Sequence, residues 1–148
     1  MEIIIKPYSE LNVDELHDML QLRSEVFVVE QTCVYNDLDG WDKHATHIFI
    51  YEDELIIAYA RILPAGTKFS QTSIGRVVVN PGFRKRDFGK LIMNMALDFA
   101  IRKWNAKEIK ISAQLYLKKF YEDLGFNTVT DIYDEDGISH VGMIYLPK

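Results

Sequence analysis

The sequence predicts one mixed α+β domain in which helices flank a central, mostly antiparallel and twisted sheet. Short β-branched and apolar runs alternate along the chain with segments whose apolar residues recur at helical spacing. The length of 148 residues, with 48% hydrophobic and 26% charged residues, is ordinary for a single globular domain. No linker, repeat or low-complexity stretch interrupts this order. We therefore expect residues 1–148 to form one domain.

The first half of the chain predicts four strands and one long helix. A short strand over residues 2–6 stops at Pro7, because proline has no backbone N–H to donate to a sheet. From about residue 13 to residue 30, apolar side chains recur every three or four positions, which predicts a helix. Residues 32–46 and 64–71 lack periodicity and predict two loops. β-branched and apolar runs predict the remaining strands at residues 47–51, 55–63 and 73–79, the first two as an antiparallel pair.

The second half of the chain predicts two helices and three strands. Pro81-Gly82 interrupts the chain, and a helix follows from about residue 88 to residue 104. A short strand at residues 108–112 leads to a helix over residues 115–124, which Gly125 ends because glycine accepts left-handed backbone readily. Asp136-Gly137 predicts a hairpin turn between strands at residues 128–133 and 138–146. The predicted order is β-α-β-β-β-α-β-α-β-β.

Charge and cysteine content argue against several classes of protein. The 17 Lys and Arg against 22 Asp and Glu give a formal net charge of −5, which disfavours a general nucleic-acid binder. The single cysteine, Cys33, cannot form an internal disulfide or a four-cysteine zinc site. No apolar run is long enough to span a membrane, and the N-terminus does not resemble a signal peptide. We expect a soluble, cytoplasmic protein that binds neither membrane nor nucleic acid.

A basic segment interrupts this acidic average soon after the predicted central strand. Four cations lie within seven residues: Arg84, Lys85, Arg86 and Lys90. They surround the start of the next helix, where the first backbone N–H groups lack helical partners and the helix dipole attracts anions. This combination indicates a site for a phosphate-bearing ligand, with a merely solvated helix start as the alternative. Neither a Walker loop nor a dinucleotide-binding fingerprint is present.

The same segment resembles the acetyl-CoA motif of the GCN5-related N-acetyltransferases, the GNAT family. The motif Arg/Gln-x-x-Gly-x-Gly/Ala is matched by Arg84-Lys85-Arg86-Asp87-Phe88-Gly89, with Asp87 in place of the first glycine. A second resemblance is Tyr121-Glu-Asp-Leu-Gly-Phe126, at the end of an aromatic-rich helix. Within the family, the chain is similar to the ElaA-type subgroup through Arg23-x-x-x-Phe27-Val-Val-Glu30-Gln31-x-Cys33-x-Tyr35-x-x-x-Asp39 and Tyr133-Asp-Glu-Asp-Gly137-x-x-His140.

The resemblance implies a GNAT-like acyl-CoA N-acyltransferase fold that takes acetyl-CoA as co-substrate. In such a fold the strand before the loop pairs its backbone with the pantetheine arm, and the loop amides wrap the pyrophosphate. The cofactor-binding residues implied here are Val77, Val79, Arg84, Lys85, Arg86, Asp87, Phe88, Gly89 and Gln114. Gln114 stands where a cofactor-contacting asparagine is common. Asp87 departs from the motif, and we expect its carboxylate to cap the helix and to weaken the phosphate contacts.

Two residues are candidates for the proton transfers that amine acetylation requires. Tyr121 resembles the general acid of the family, and a phenol can protonate a leaving thiolate of comparable basicity. The alternative for Tyr121 is a core tyrosine on a helix face. Glu30, near the end of the first predicted helix, sits against the helix dipole and is a candidate base for an ammonium, directly or through water. A plain surface carboxylate is the alternative for Glu30.

The loop before the second strand supplies candidate acceptor contacts. Tyr35 and Asp39 belong to the ElaA-type pattern, and we expect them to bind the acceptor. With Asp37 and Asp42, Asp39 forms an acidic group suited to lining a pocket for a cationic substrate, although loop acids more often cap turns and face water.

Three other sequence features favour structural roles. The spacing of Asp39, Asp42, His44 and His47 matches neither a zinc-binding helix nor a calcium loop, so we expect no metal. Cys33 is interpreted as a small buried or half-buried thiol. His140 lies in a predicted strand and is interpreted as a half-exposed side chain.

The function predicted from these observations is acetyl transfer from acetyl-CoA to a primary amine, by direct attack in a ternary complex. The acceptor is a small-molecule or peptide amine, and a homodimer is left open. One alternative is acyl transfer like that of acyl-homoserine-lactone synthases, which the chain resembles at Arg23, Phe27, Arg61 and the three loop acids. Those enzymes are longer, and the short chain favours a small acyl donor. The other alternative is a non-catalytic acetyl-CoA-binding module.

Overall fold

Eight strands form one sheet at the centre of the structure, a computed structural model that describes residues 1–148. The strands are β1 (Glu2–Pro7), β2 (Thr46–Glu52), β3 (Leu55–Leu63), β4 (Thr72–Val79), β5 (Ile109–Gln114), β6 (Asn127–Thr128), β7 (Tyr133–Glu135) and β8 (Ile138–Tyr145). The α-helices are α1 (Val13–Arg23), α2 (Phe88–Trp104) and α3 (Lys118–Asp123). The predicted mixed α+β class is confirmed.

The sheet has the strand order β1-β2-β3-β4-β5-β8-β6, and β7 pairs with β8. Every neighbouring pair is antiparallel except β4 and β5, which run parallel. That parallel pair has only two rungs, Thr72 opposite Ile109 and Ser73 opposite Lys110. Beyond Ser73 the two strands no longer pair, so the sheet opens into a cleft between them.

An irregularity in β4 accompanies this opening. The register between β3 and β4 shifts between Tyr59 and Arg61, and Arg76 on β4 has a left-handed φ of 50°. An extra residue in one strand bends it and increases its twist, which directs the end of β4 away from β5. The cleft is therefore built into the pairing of the sheet.

Helices cover both faces of the sheet and bury two apolar clusters. On one face α2 packs Ile92, Met93 and Ala96 against β2, β3 and β4. On the other face α1 packs Met19 and Leu22 against aromatic residues of β2 and β3. Side chains of a strand alternate between faces, which is why the β2 residues Ile48 and Ile50 join the first cluster and Phe49 and Tyr51 the second.

The first predicted helix is continuous but changes its geometry. Asn12 begins α1 with a capping box, because its Oδ1 accepts from the Glu15 N–H at 2.7 Å and Glu15 returns the bond. After Arg23 the chain continues as a π-helix over Ser24–Glu30. Such wide turns are often found at functional sites. This one delivers Glu30 and Gln31 to the cleft.

The turn chemistry near the C-terminus is confirmed, while some boundaries differ from the prediction. Gly125, with φ 107°, follows α3, and Asp136 and Gly137 have φ values of 54° and 83° in the turn between β7 and β8. Positive φ at both central residues is the requirement of the commonest two-residue hairpin. The predicted strand over residues 128–133 consists instead of the short β6 and the separate β7.

The helices of the structure include none with both the length and the apolar character that a membrane span requires.

Candidate active site

A cavity of about 740 Å³ occupies the cleft between β4 and β5. Its walls come from β4, the loop that follows it, the first turn of α2, and β5 with α3. The segment after the π-helix and the β7–β8 hairpin close its other end. We call the end beside α2 the loop end and the end beside the hairpin the hairpin end.

The last residues of β4 line this cavity. Val77 and Val79 both border it, and no β5 residue pairs with the strand beyond Ser73. The side of the β4 backbone that faces β5 therefore has no ladder partner there. Unpaired backbone donors and acceptors can bind an extended, amide-bearing ligand in the manner of an added strand.

The loop end is shaped by backbone conformations that few residues adopt. Lys85 and Asp87 have left-handed φ values of 65° and 62°, which direct the chain from the Pro81–Phe83 turn into α2. Asp and Asn tolerate this conformation better than most residues, which explains how Asp87 occupies a glycine position. Lys85, Asp87, Phe88 and Gly89 all line the cavity.

The expected capping role of Asp87 is wrong. Asp87 stands at the N-cap position of α2, but its side chain accepts no hydrogen bond from the first turn. The left-handed backbone differs from the extended conformation in which a cap residue reaches those amides. The first helical bond is donated by Leu91 N–H to the Asp87 carbonyl at 3.0 Å. The preceding amides at the helix start are therefore available to an anion.

Arg84 and Glu30, which both line the cavity, form an ion pair. Two contacts join them: Nη2 to Oε1 at 2.6 Å and Nη1 to Oε2 at 2.9 Å. The hydrogen bond from Arg84 lowers the pKa of Glu30, and the same bond raises the pKa of Arg84. Arg84, which was predicted to bind the phosphates, is therefore paired with Glu30, the predicted base. Arg86 lies apart from the cavity walls, with its guanidinium 5.4 Å from the centre of the Phe83 ring.

Tyr121, on α3, lines the cavity. It is 8% exposed and packs edge-to-face against Phe120 and Phe126. Burial raises the pKa of its phenol, so the hydroxyl keeps its proton. Gln114, at the end of β5, also lines the cavity and exchanges hydrogen bonds of 3.2 and 3.4 Å with Gln31.

The hairpin end contains polar residues that the sequence did not single out as a site. Ser112 of β5 hydrogen-bonds the hydroxyl of Tyr133, and Glu135 approaches His140. His140 is only 6% exposed, so its interpretation as a half-exposed strand residue is wrong. The cause is the β7–β8 hairpin, which folds Tyr133 over the imidazole with ring centres 6.1 Å apart. The sequence did contain a signal for this site. The predicted Asp136-Gly137 turn places Tyr133 and Glu135 on the strand that pairs with His140.

Cys33 connects the two walls of the hairpin end. It is buried, as expected, and its thiol donates to the Asp136 carbonyl at 3.0 Å. The contact joins the segment after the π-helix to the β7–β8 turn. Tyr35, in the same segment, lines the cavity with its hydroxyl bound to Asp37 at 2.9 Å.

The three loop acids belong to a buried ionic cluster. Asp37 lies 2.7 Å from Arg23 Nε and 2.8 Å from Arg76 Nε. The other contacts are Asp42 with Arg23 and Arg61, and Asp39 with Arg61 and Arg76. Three carboxylates therefore pair with three guanidiniums. The expectation that loop acids face water is wrong for Asp37 and Asp42, which are only 4% and 7% exposed.

The cluster fixes the loop over residues 32–46 and holds Asp39 away from the cavity. Burial alone would raise the pKa of Asp39, but the hydrogen bond and charge of Arg61 lower it to about 2. Asp39 is not among the cavity-lining residues. Both ring nitrogens of His47 are occupied, Nδ1 by Tyr59 Oη and Nε2 by the Asp42 carbonyl, so neither is free to bind a metal. No group of three His, Cys, Asp or Glu side chains is arranged to hold a metal ion.

The mostly antiparallel sheet split at one parallel pair, with a helix start and a cavity at the split, is the fold of the acyl-CoA N-acyltransferases. A family model described as "Acetyltransferase (GNAT) domain" matches residues 6–146. The chain therefore belongs to the GNAT family of N-acetyltransferases, as its loop and helix motifs predicted.

Individual relatives agree with this assignment. The chain is 41% identical over 138 residues to Protein ElaA of Escherichia coli, covering 92% of this chain and 90% of that protein. The crystal structure of Escherichia coli ElaA superposes with a TM-score of 0.91 at 39% identity, over 98% and 99% of the two chains. An acyl-CoA N-acyltransferase from Pseudomonas aeruginosa superposes equally well, with a TM-score of 0.91, 38% identity and the same coverage. The predicted similarity to the ElaA-type subgroup is confirmed.

A more distant structure shares the fold alone. The PaiA N-acetyltransferase of Thermoplasma acidophilum, solved in complex with coenzyme A, superposes with a TM-score of 0.69 at 14% identity, over 99% of this chain and 100% of that one.

Proposed function

We propose that this enzyme transfers an acetyl group from acetyl-CoA to a primary amine by direct attack in a ternary complex. The observation that carries the proposal is the continuity of the cavity: one space of about 740 Å³ borders the phosphate-type loop, Tyr121 and the polar hairpin end. Both substrates can therefore meet without a covalent acyl-enzyme. Holding two reactants in one site supplies much of the rate enhancement such a reaction needs.

Acetyl-CoA is assigned to the loop end. Its pantetheine amides would pair with the free backbone edge at Val77 and Val79, and its pyrophosphate would accept from the α2 amides beside Phe88 and Gly89. Lys85 lines the same end and supplies positive charge. The coenzyme A held by the Thermoplasma acidophilum PaiA N-acetyltransferase supports this choice of cofactor.

Arg84 is the guanidinium proposed to bind the pyrophosphate, and it must leave Glu30 to do so. Arg86 stacks on Phe83, and its contribution to the cofactor site is proposed as long-range charge. Asp87 lines the same end of the cavity, and its negative charge is expected to reduce the affinity for acetyl-CoA. A like charge about 4 Å away costs roughly 1 kcal/mol in water and more where solvent is excluded.

Tyr121 is proposed as the acid that protonates the departing thiolate. Its burial keeps the phenol neutral, and the same exclusion of water makes an unprotonated thiolate costly. A protonated donor within reach of the sulfur lowers the barrier for cleavage of the carbon–sulfur bond. Glu30 as the base for the amine stays a prediction, and its ion pair with Arg84 makes it a weak base while the pair is intact.

The acceptor contacts are proposed at the hairpin end. Tyr35 lines the cavity there and remains an assigned acceptor residue. Asp39 is separated from the cavity by its arginine partners, so any effect on acceptor binding would come through the position of Arg76.

Calorimetric titration with acetyl-CoA and an amine screen with thiol detection test this function. We expect acetyl-CoA to bind, and the Tyr121→Phe variant to bind it equally while losing turnover. Tyr145→Phe is the matched control, because Tyr145 also packs on Phe126 but does not line the cavity. Absence of acetyl-CoA binding at millimolar concentration would refute the proposal.

Two results would point to the other functions considered. Acetyl-CoA binding without turnover across a broad amine panel would identify a binding module. Faster thiol release with acyl-carrier donors than with acetyl-CoA would identify chemistry like that of the acyl-homoserine-lactone synthases.

A further inference from the structure

A buried histidine stands at the hairpin end of the cavity. His140 on β8 pairs directly with Gln114 on β5 and with Tyr133 on β7. It is 6% exposed and lines the same cavity as Tyr121. A polar ring so deeply buried needs partners for both of its nitrogens.

The contacts of His140 define where its protons lie. Nδ1 is 2.7 Å from the Ile138 carbonyl oxygen, which can only accept, so Nδ1 carries a hydrogen. In the neutral ring Nε2 is then an acceptor. Its neighbour, Oε2 of Glu135 at 3.3 Å, is also an acceptor when ionised. With the ring neutral and the carboxylate ionised, two acceptors face one another, and a proton donor beside them would satisfy both.

The ring is held in place by neighbours that are themselves fixed. Tyr133 stacks on it with an angle of 21° between the ring planes, and the Tyr133 hydroxyl hydrogen-bonds Ser112. Packing of this kind gives a proton-transfer group a defined orientation.

The charge at this end suits a cation. Glu135 forms no ion pair with a lysine or arginine; its ionic contact is His140, Ser112 Oγ lies 3.4 Å from its Oε1, and Lys68 lines the small pocket beside it. The nearest guanidinium that lines the cavity, Arg76, is occupied by Asp37 and Asp39. The lysines that line the cavity, Lys85 and Lys90, lie at the loop end.

We propose that His140 Nε2 and the Glu135 carboxylate form the acceptor subsite for a primary ammonium, with His140 as its base. The inference rests on the acetyl-transfer function proposed above and adds the acceptor's binding groups to it. A primary ammonium can donate one hydrogen to Nε2 and another to Glu135 at the same time. A quaternary ammonium has no hydrogen to donate.

The proton balance of the reaction is closed by these groups. The ammonium gives one proton to His140 Nε2 and keeps the electron pair, which then forms a bond to the acetyl carbonyl carbon. The carbon–sulfur bond breaks, and Tyr121 gives its proton to the thiolate. The nitrogen of the collapsing intermediate returns a proton to Tyr121. His140 releases its proton through Glu135, which is half exposed to water, so the products are amide, thiol and one proton.

Glu30 is the competing candidate base, and the two differ in their partners. The carboxylate of Glu30 is held by two hydrogen bonds from Arg84, which stabilise its charged form and lower its pKa. Glu135 has no such partner, and Nε2 of His140 has an open acceptor position.

The first test uses binding and needs no turnover. With coenzyme A present, ethylamine should shift the ring signals of His140 in NMR spectra, and ethyltrimethylammonium should not. Glu135→Gln should weaken the response to ethylamine, while coenzyme A binding stays unchanged. An identical response to both amines, or none to ethylamine, would overturn the subsite.

The second test separates a base from a structural residue. Ethylamine must lose a proton before it attacks, whereas trifluoroethylamine is largely neutral at mildly alkaline pH. A positioned base contributes about 100-fold or more, so His140→Gln should lower kcat/KM for ethylamine by that factor and for trifluoroethylamine by much less. His17→Gln, on the exposed side of α1, is the matched control.

The outcomes distinguish this inference from the function on which it rests. Failure of the wild-type enzyme to bind acetyl-CoA would contradict the function itself. Normal acetyl-CoA binding with equal losses for both amines would make His140 structural. If Glu30→Gln rather than His140→Gln affected ethylamine selectively, the base would be Glu30.

Discussion

The ion pair between Glu30 and Arg84 should compete with acetyl-CoA, so its two members should have opposite effects on cofactor affinity. Both side chains are about two-fifths exposed, at 44% and 41%, and two contacts of 2.6 and 2.9 Å join them. Exposed pairs contribute about 0.2–1 kcal/mol, and the bidentate geometry favours the upper value. Glu30→Gln releases Arg84 from this pair. A release of about 1 kcal/mol corresponds to a roughly fivefold lower Kd for acetyl-CoA.

Arg84→Gln should act in the other direction. It removes a charge-assisted contact to the pyrophosphate, which is worth about 1.5–3 kcal/mol, but it also removes the cost of about 1 kcal/mol for breaking the ion pair. The Kd should therefore rise roughly 2- to 30-fold. The gain in Glu30→Gln should shrink as salt rises, because the ion pair it removes is screened.

Calorimetric titration at two salt concentrations measures both effects. Asp98→Asn is the control, since Asp98 forms an exposed pair with Arg102 on α2 and does not line the cavity. Unchanged affinity in both variants would show that Arg84 does not bind the cofactor. Weaker binding in Glu30→Gln would refute competition between the carboxylate and the phosphates.

Two further variants test the loop end and the ionic cluster. Asp87→Gly should tighten acetyl-CoA binding about fivefold, because it removes a charge of the same sign as the phosphates. It should also raise the free energy of unfolding by roughly 0.5 kcal/mol, which is the penalty of left-handed backbone for aspartate less the entropy cost of glycine. Calorimetry measures the binding and urea unfolding the stability, and weaker binding would contradict the proposed phosphate position. Asp37→Asn should lower the free energy of unfolding by about 3–5 kcal/mol, because it leaves buried guanidiniums without their partner. The exposed Asp98→Asn should lose at most about 1 kcal/mol in the same urea experiment, and equal losses would contradict the buried character of the cluster.

The fold could be predicted because its determinants are local. Alternating apolar runs fixed most strands, the Pro81-Gly82 break located the start of α2, and Gly125 and Asp136-Gly137 adopt the left-handed backbone their residue types favour. The cleft could not be predicted in the same way. It depends on β4 and β5 losing their pairing after two rungs, and no property of either strand alone fixes where a parallel pair ends.

The acids of the loop over residues 32–46 show why patterns of charge are harder to interpret than patterns of hydrophobicity. Their arginine partners lie on α1, β3 and β4, separated from them by 14 to 39 residues. The sequence shows that the three aspartates lie close together, but it does not show which arginines the fold brings next to them. His140 was missed for the same reason, since its burial depends on Tyr133 reaching it across the hairpin.

Neutralisation of that cluster changes where the acidity of the chain can act. The group of Asp37, Asp39 and Asp42 was predicted to suit a cationic substrate, but three arginines balance those charges internally. The carboxylates that face the cavity at its hairpin end are Glu135 and Asp136, and the lysines that face it stand at the loop end. A polarised cavity of this kind orients two substrates of opposite charge. Under the proposed function, the phosphates of the cofactor and the ammonium of the acceptor are directed to opposite ends of the cavity that Tyr121, the proposed acid, also lines.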